Sequence, residues 1–116
     1  MKTVEYNNIK YLIGKNAEEN WNILDSSKKI NDKFIWFHLN SFSSCYVIIQ
    51  DDLNENNYSK NEISDYLIYG AELCKENTKY KNYKNLKIMY TTLDKLTKTN
   101  KIGEVIVSGK KNIICL

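Results

Sequence analysis

"KFIWFHLNSFSSCYVIIQ", residues 33–50, is the stretch from which the fold can be read. Its first half alternates. Ile35, Phe37 and Leu39 point one way and Phe34, Trp36 and His38 the other, which is the period of a β-strand. "NSFSS" is turn-like, and "CYVIIQ" reads as a second strand. The connection is too short for a crossover, so the two strands run antiparallel. His38 is the only histidine in the chain. It stands beside a tryptophan in a run that is otherwise apolar, which raises the question of its task.

Upstream, "NNIKYLIG" reads as a strand with Ile9, Tyr11 and Ile13 on one side and Lys10 and Leu12 on the other. Gly14 ends it. In "KNAEENWNILDSS", Asn16 is placed to cap a short helix, Glu19 completes a capping-box-like pair, and Trp21 and Leu24 share one face. Downstream, "DDLNENNYSKN" is an acidic, Asn-rich loop. "SKNEISDYLIYGAELCKEN" is a long helix, with Ser59 and Glu62 as its capping box and an apolar stripe of Ile63, Leu67, Gly70, Ala71 and Cys74. "KYKNYKN" is a basic loop, "LKIMYTT" a strand and "LDKLTKTNK" a turn or short helical piece. "EVIVS" and "NIICL" are expected to form a hairpin around "GKK". These elements make an α+β fold. Residues 1–116 form a single domain, a mostly antiparallel sheet of about six strands packed against one long helix and one short helix.

Composition narrows the function classes. A chain of 116 residues, 42% hydrophobic and 12% aromatic, is the size of one globular domain. No apolar run approaches the length of a transmembrane helix, and the N-terminus lacks a signal peptide's apolar core and cleavage site. The expected setting is therefore cytoplasmic. Cys45, Cys74 and Cys115 are scattered, without a CxxC pair, and read as idle thiols in a reducing compartment. The net charge of +3 conceals an asymmetry. Residues 1–74 carry 7 lysines against 11 acidic groups, and residues 75–116 carry 10 against 3. Such a basic third suggests a polyanionic partner. No arginine is present, so bidentate reading of guanine is unavailable and lysines act as point charges on phosphates.

The chemistry-bearing patterns are few. His38 has Ser41, Ser43, Ser44 and Cys45 nearby in sequence, but no orienting third residue and no nucleophile elbow. One histidine with scattered thiols cannot complete a zinc site, "DDLNE" lacks a calcium-loop pattern, and there is no phosphate-cradling glycine loop. No metal and no cofactor is implied. The basic segment is different. Lys75, Lys79, Lys81, Lys84 and Lys87 are interleaved with Tyr80 and Tyr83, and Lys95, Lys98, Lys101, Lys110 and Lys111 continue the charge. Lysines with aromatics suit single-stranded or looped RNA, whose bases stack on rings while ammonium groups meet phosphates.

Taken in order, these pieces resemble the NFACT-R (NFACT RNA-binding) domain family from Tyr11 to about Val107. The family's "GxN" turn is matched by Gly14, Lys15 and Asn16, with Asn20 at its later asparagine. Its hallmark "D-x-W-F-H", followed by a serine turn and "H-V", is matched at Trp36, Phe37, His38, Ser43, Ser44 and Val47. A helix with Ala71, a strand with Tyr90 and Thr91, Lys98 of a lysine pair, and Gly103 follow in family order. The chain departs at the hallmark aspartate (Phe34), the second histidine (Tyr46) and the first lysine of the pair (Thr97).

The resemblance implies a non-enzymatic RNA-binding module in translation or ribosome-associated quality control, with tRNA or ribosomal RNA as partner. The nucleic-acid-binding residues it suggests, together with the basic segment, are Lys15, Asn16, Trp36, His38, Ser43, Ser44, Lys79, Lys81, Lys84 and Lys98. Two roles stay open for the hallmark pair. Trp36 stacks a base while His38 hydrogen-bonds RNA, or Trp36 packs beneath a helix while His38 bonds a backbone carbonyl. Two other functions also stay open: a protein-interaction adaptor on the ribosome or a quality-control factor, and an RNA-processing enzyme using His38 as general acid or base.

Overall fold

The computed structural model describes residues 1–116. The chain runs β1 (Lys2–Tyr6), β2 (Ile9–Ile13), α1 (Ala17–Ile30), β3 (Ile35–Leu39), β4 (Val47–Ile49), α2 (Lys60–Glu76), β5 (Lys87–Thr92), a 3₁₀ turn (Leu93–Lys95), β6 (Leu96–Lys98), β7 (Val105–Val107) and β8 (Asn112–Cys115). Six strands form one antiparallel sheet in the order β1-β2-β4-β3-β5-β8, and β6 and β7 form a separate ribbon. This is the expected α+β architecture.

The sheet is covered on both faces, and the alternation in β3 sorts the side chains. Ile35, Phe37 and Leu39 join Tyr11, Val47 and Ile49 in the core beneath α2. Phe34 and Trp36 join Leu12 and Ile48 in a second core with Ile23 and Leu24 of α1, capped by Leu93 and Leu96. Gly70 lets α2 approach closely, because a Cβ there would lie 2.5 Å from the Phe37 ring.

Local signals set the helix starts. Asn16 Oδ1 accepts from Glu19 N at 2.9 Å, and the Glu19 carboxylate accepts from Lys15 N at 2.9 Å. At α2, Ser59 Oγ accepts from Glu62 N and the Glu62 carboxylate accepts from Ser59 N, a complete capping box. α1 runs on to Ile30, with Lys28 and Lys29 in its last turn, where the helix dipole favours cations. No helix is long and apolar enough to cross a membrane.

The C-terminal segments depart from expectation. "EVIVS" and "NIICL" do not pair with each other. β7 pairs with β6, Thr97 facing Ile106, whereas β8 crosses over to pair with β5, Met89 facing Ile113. The two apolar runs serve different cores. Val105 and Val107 pack on the α1 side, and Ile114 packs on the α2 side. Gly109, at φ +73°, turns the chain between them. The N-terminal strand β1 was also not anticipated. Asn7 and Asn8 hold φ of 50° and 66°, the two left-handed positions of a primed hairpin turn.

Candidate nucleic-acid interface

Four connections meet at one end of the sheet and enclose a groove of about 750 Å³: the β2–α1 turn, the β3–β4 loop, the C-terminal end of α2 and the β6–β7 loop. Seven of the ten sequence-predicted residues line it, namely Lys15, Asn16, Trp36, His38, Ser43, Ser44 and Lys79. Lys81, Lys84 and Lys98 do not.

The groove is held open by a pin at Asn20, which is 5% exposed. Its Oδ1 accepts from Tyr46 N at 3.0 Å and its Nδ2 donates to Ser44 O at 3.4 Å, tying α1 to the β3–β4 loop. A Cβ on Gly14 would sit 2.1 Å from Asn20 Oδ1, so only glycine leaves room for the pin. Gly14 N also donates to Tyr46 O at 3.0 Å. Ser44 closes the same loop, with Oγ accepting from Leu39 N and donating to Cys45 O. The Asn16 side chain is engaged as the helix cap. Asn16 and Ser44 therefore shape the groove, while Ser43 and Lys15 are exposed in it.

Trp36 is 1% exposed and packs against Ile23 and Leu24 of α1, so its indole has no face for a base. The stacking role left open for it is corrected by this burial. Its ring instead backs His38, parallel at 5.5 Å between centroids, and Tyr46 meets both rings edge-on. Tyr46, which departs from the family's histidine, donates its hydroxyl to Gly103 O at 2.6 Å and so draws the β6–β7 loop over the groove. Gly103 has φ +85°, and a Cβ there would meet Ala17 at 2.6 Å.

His38 Nδ1 lies 2.8 Å from Leu39 O. A carbonyl only accepts, so Nδ1 carries the proton, and in the neutral ring Nε2 is an acceptor. Burial holds the imidazole pKa below its ordinary value, and the Leu39 carbonyl only partly offsets this. No hydroxyl or thiol is hydrogen-bonded to the ring. Trp36 Nε1 and Asn40 Oδ1, from two further groove residues, make no hydrogen bond within the chain.

The charged groups lining the groove are Lys15, Lys79 and Lys101 against Glu104 alone. None of the three lysines is in an ion pair. Lys98 sits elsewhere, bridged to Asp25 at 2.9 Å with its ammonium 4.8 Å from the Trp21 ring centroid. Thr97 is exposed on β6. No cluster of three or more His, Cys, Asp or Glu side chains is arranged to hold a metal.

Sequence reasoning missed Lys101 as a groove residue and Phe42 altogether. Phe42, at the tip of the β3–β4 loop, stacks on Tyr80 at 4.2 Å between centroids. Its only sequence signal was an apolar residue inside an otherwise polar turn.

Residues 2–114 match the family model of the NFACT protein RNA binding domain. No curated protein matches the chain. Among solved structures, the chain is similar to the C-terminal part of the fibronectin/fibrinogen-binding protein from Streptococcus suis, with a TM-score of 0.72 and 23% identity. The match covers 93% of this chain and 40% of that one, and shows a shared fold.

Proposed function

The chain belongs to the NFACT protein RNA binding domain family, and from that membership we propose that its loop-end groove binds tRNA or ribosomal RNA, in translation or ribosome-associated quality control. The observation that carries this reading is the convergence of Lys15, Lys79 and Lys101, from three separate connections, on one groove opposed only by Glu104. Three unpaired ammonium groups around a cleft fit phosphates of a backbone. Without arginine they position RNA and do not read its sequence. This reading takes the task as binding, in keeping with an RNA-binding family, with His38 packed among aromatic rings and its Nδ1 held on a backbone carbonyl.

A protein-adaptor reading draws on a different surface, the apolar hollow lined by Ile63, Leu67, Ile68, Tyr90 and Ile114. Salt separates the two readings, since phosphate contacts weaken steeply with ionic strength and apolar contacts do not. The test is equilibrium binding of labelled tRNA and of an unrelated single-stranded RNA across a salt series. Salt-sensitive binding with preference for tRNA is the expected result. No binding of either RNA at low salt would overturn the reading and turn the search to protein partners.

A further inference from the structure

We propose that Phe42, Tyr80 and Tyr83 form a platform on which one unpaired nucleobase stacks, so that the RNA entering the groove is single-stranded where it crosses the β3–β4 loop. This rests on the RNA-binding reading and specifies its ligand. The three rings come from two segments far apart in sequence, and tertiary structure brings them together. Phe42 and Tyr80 stack at 4.2 Å with 23° between planes, and Tyr83 stands edge-on to both, 6.1 Å and 5.2 Å away. Phe42 is 38% exposed and Tyr83 52% exposed. Tyr80 is half-buried against the core beneath α2 and supports the other two, so Phe42 and Tyr83 present adjoining aromatic surface to solvent, the kind of patch that suits a stacking partner.

The surroundings favour nucleic acid as the occupant. Lys79, Lys81 and Lys84 interleave with the tyrosines, all three are exposed, and none is in an ion pair. Residues 77–87 contain no acidic group. Lys79 Nζ lies 5.4 Å from the Tyr80 centroid. Phe42 and Lys79 also line the groove, so platform and groove are one continuous surface. A base has a π-face for the rings and a phosphate on either side for the ammonium groups. In a duplex those faces are already occupied by neighbouring bases, so a paired segment cannot use the platform.

The experiment compares a short single-stranded RNA carrying 2-aminopurine with a duplex of the same length. The proteins are the wild type, Phe42→Ala/Tyr83→Ala and Phe42→Trp. The double variant is expected to lose about five- to 150-fold in single-strand affinity, the range that corresponds to about 1–3 kcal/mol for one stacked base. Its salt slope and its duplex affinity should not move, and Phe42→Trp should retain both affinity and the 2-aminopurine fluorescence change. Equal single-strand binding by wild type and double variant would overturn the platform while leaving the RNA-binding reading intact. Equal losses on single strand and duplex would overturn it too. Failure of the wild type itself to bind RNA would overturn the parent reading, and the platform with it. If the double variant does not fold, Tyr83→Ala alone supports the same comparison.

Discussion

His38 shows how one side chain's surroundings fix its chemistry. The Leu39 carbonyl assigns the proton to Nδ1, and the flanking Trp36 and Tyr46 rings exclude water, so the neutral form is favoured. The folded pKa therefore lies below the ordinary value near 6.5. The sign follows from proton binding. Between the two pKa values the unfolded chain binds more protons than the folded one, so stability is full above about 6.5 and falls as the pH drops toward the folded value. A pH titration of the His38 ring by NMR should give a pKa below 6.5. Urea unfolding across the same range should show a step that His38→Gln flattens. A ring that titrates at or above 6.5 would contradict this account of its burial. For ligands, His38 offers an acceptor above its pKa and a cation below it.

At the scale of elements, α2 is positioned by Gly70, and the magnitudes decide what a larger residue would do there. Gly70→Ala gains about 1 kcal/mol of helix propensity. Against this, the new methyl would lie 2.5 Å from the ring of Phe37, which is fully buried in the central strand. Overpacking of that kind costs about 1–3 kcal/mol, so the net is a loss of up to about 2 kcal/mol. The check is a lower urea midpoint with unchanged slope. A midpoint equal to or above that of the wild type would mean that α2 can lift off the sheet at no cost. The same scale shows which elements were legible in the sequence. Both helix starts were, because Asn16–Glu19 and Ser59–Glu62 act across three residues and carry their signal locally. The alternation of β3 was legible for the same reason. The partners of β7 and β8 were not. Adjacency favoured a hairpin, but which core each strand serves depends on α1 and α2, which are remote in the chain. The β1–β2 turn at Asn7-Asn8 did carry a local signal, since asparagine tolerates left-handed backbone.

At the scale of the whole molecule, the basic C-terminal third suggests a single charged surface, but folding breaks that surface up. Lys98 is taken by Asp25, and Lys75 donates to Leu116 O at 2.9 Å. Lys15, from the acidic residues 1–74, joins Lys79 and Lys101 at the groove. The hallmark residues therefore gather at one end of the sheet, while the charge count indicates only a partner class. What held the rest back is that several of the marked groups, Trp36, Asn16 and Ser44, shape the groove through burial or internal hydrogen bonds. Two triple variants separate a local site from overall charge. Lys15→Ala/Lys79→Ala/Lys101→Ala and Lys10→Ala/Lys29→Ala/Lys60→Ala each bring the formal net charge from +3 to zero. If the groove holds the phosphates, the first should lower the slope of log K against log salt by about 2 for a single strand, at roughly 0.7 per contact. The second should leave the slope nearly unchanged, because exposed charges far from the site are screened within about 10 Å at 0.1 M salt. Equal slopes for the two variants would mean that RNA is held by the protein's overall charge, and the groove would lose its claim to the binding site.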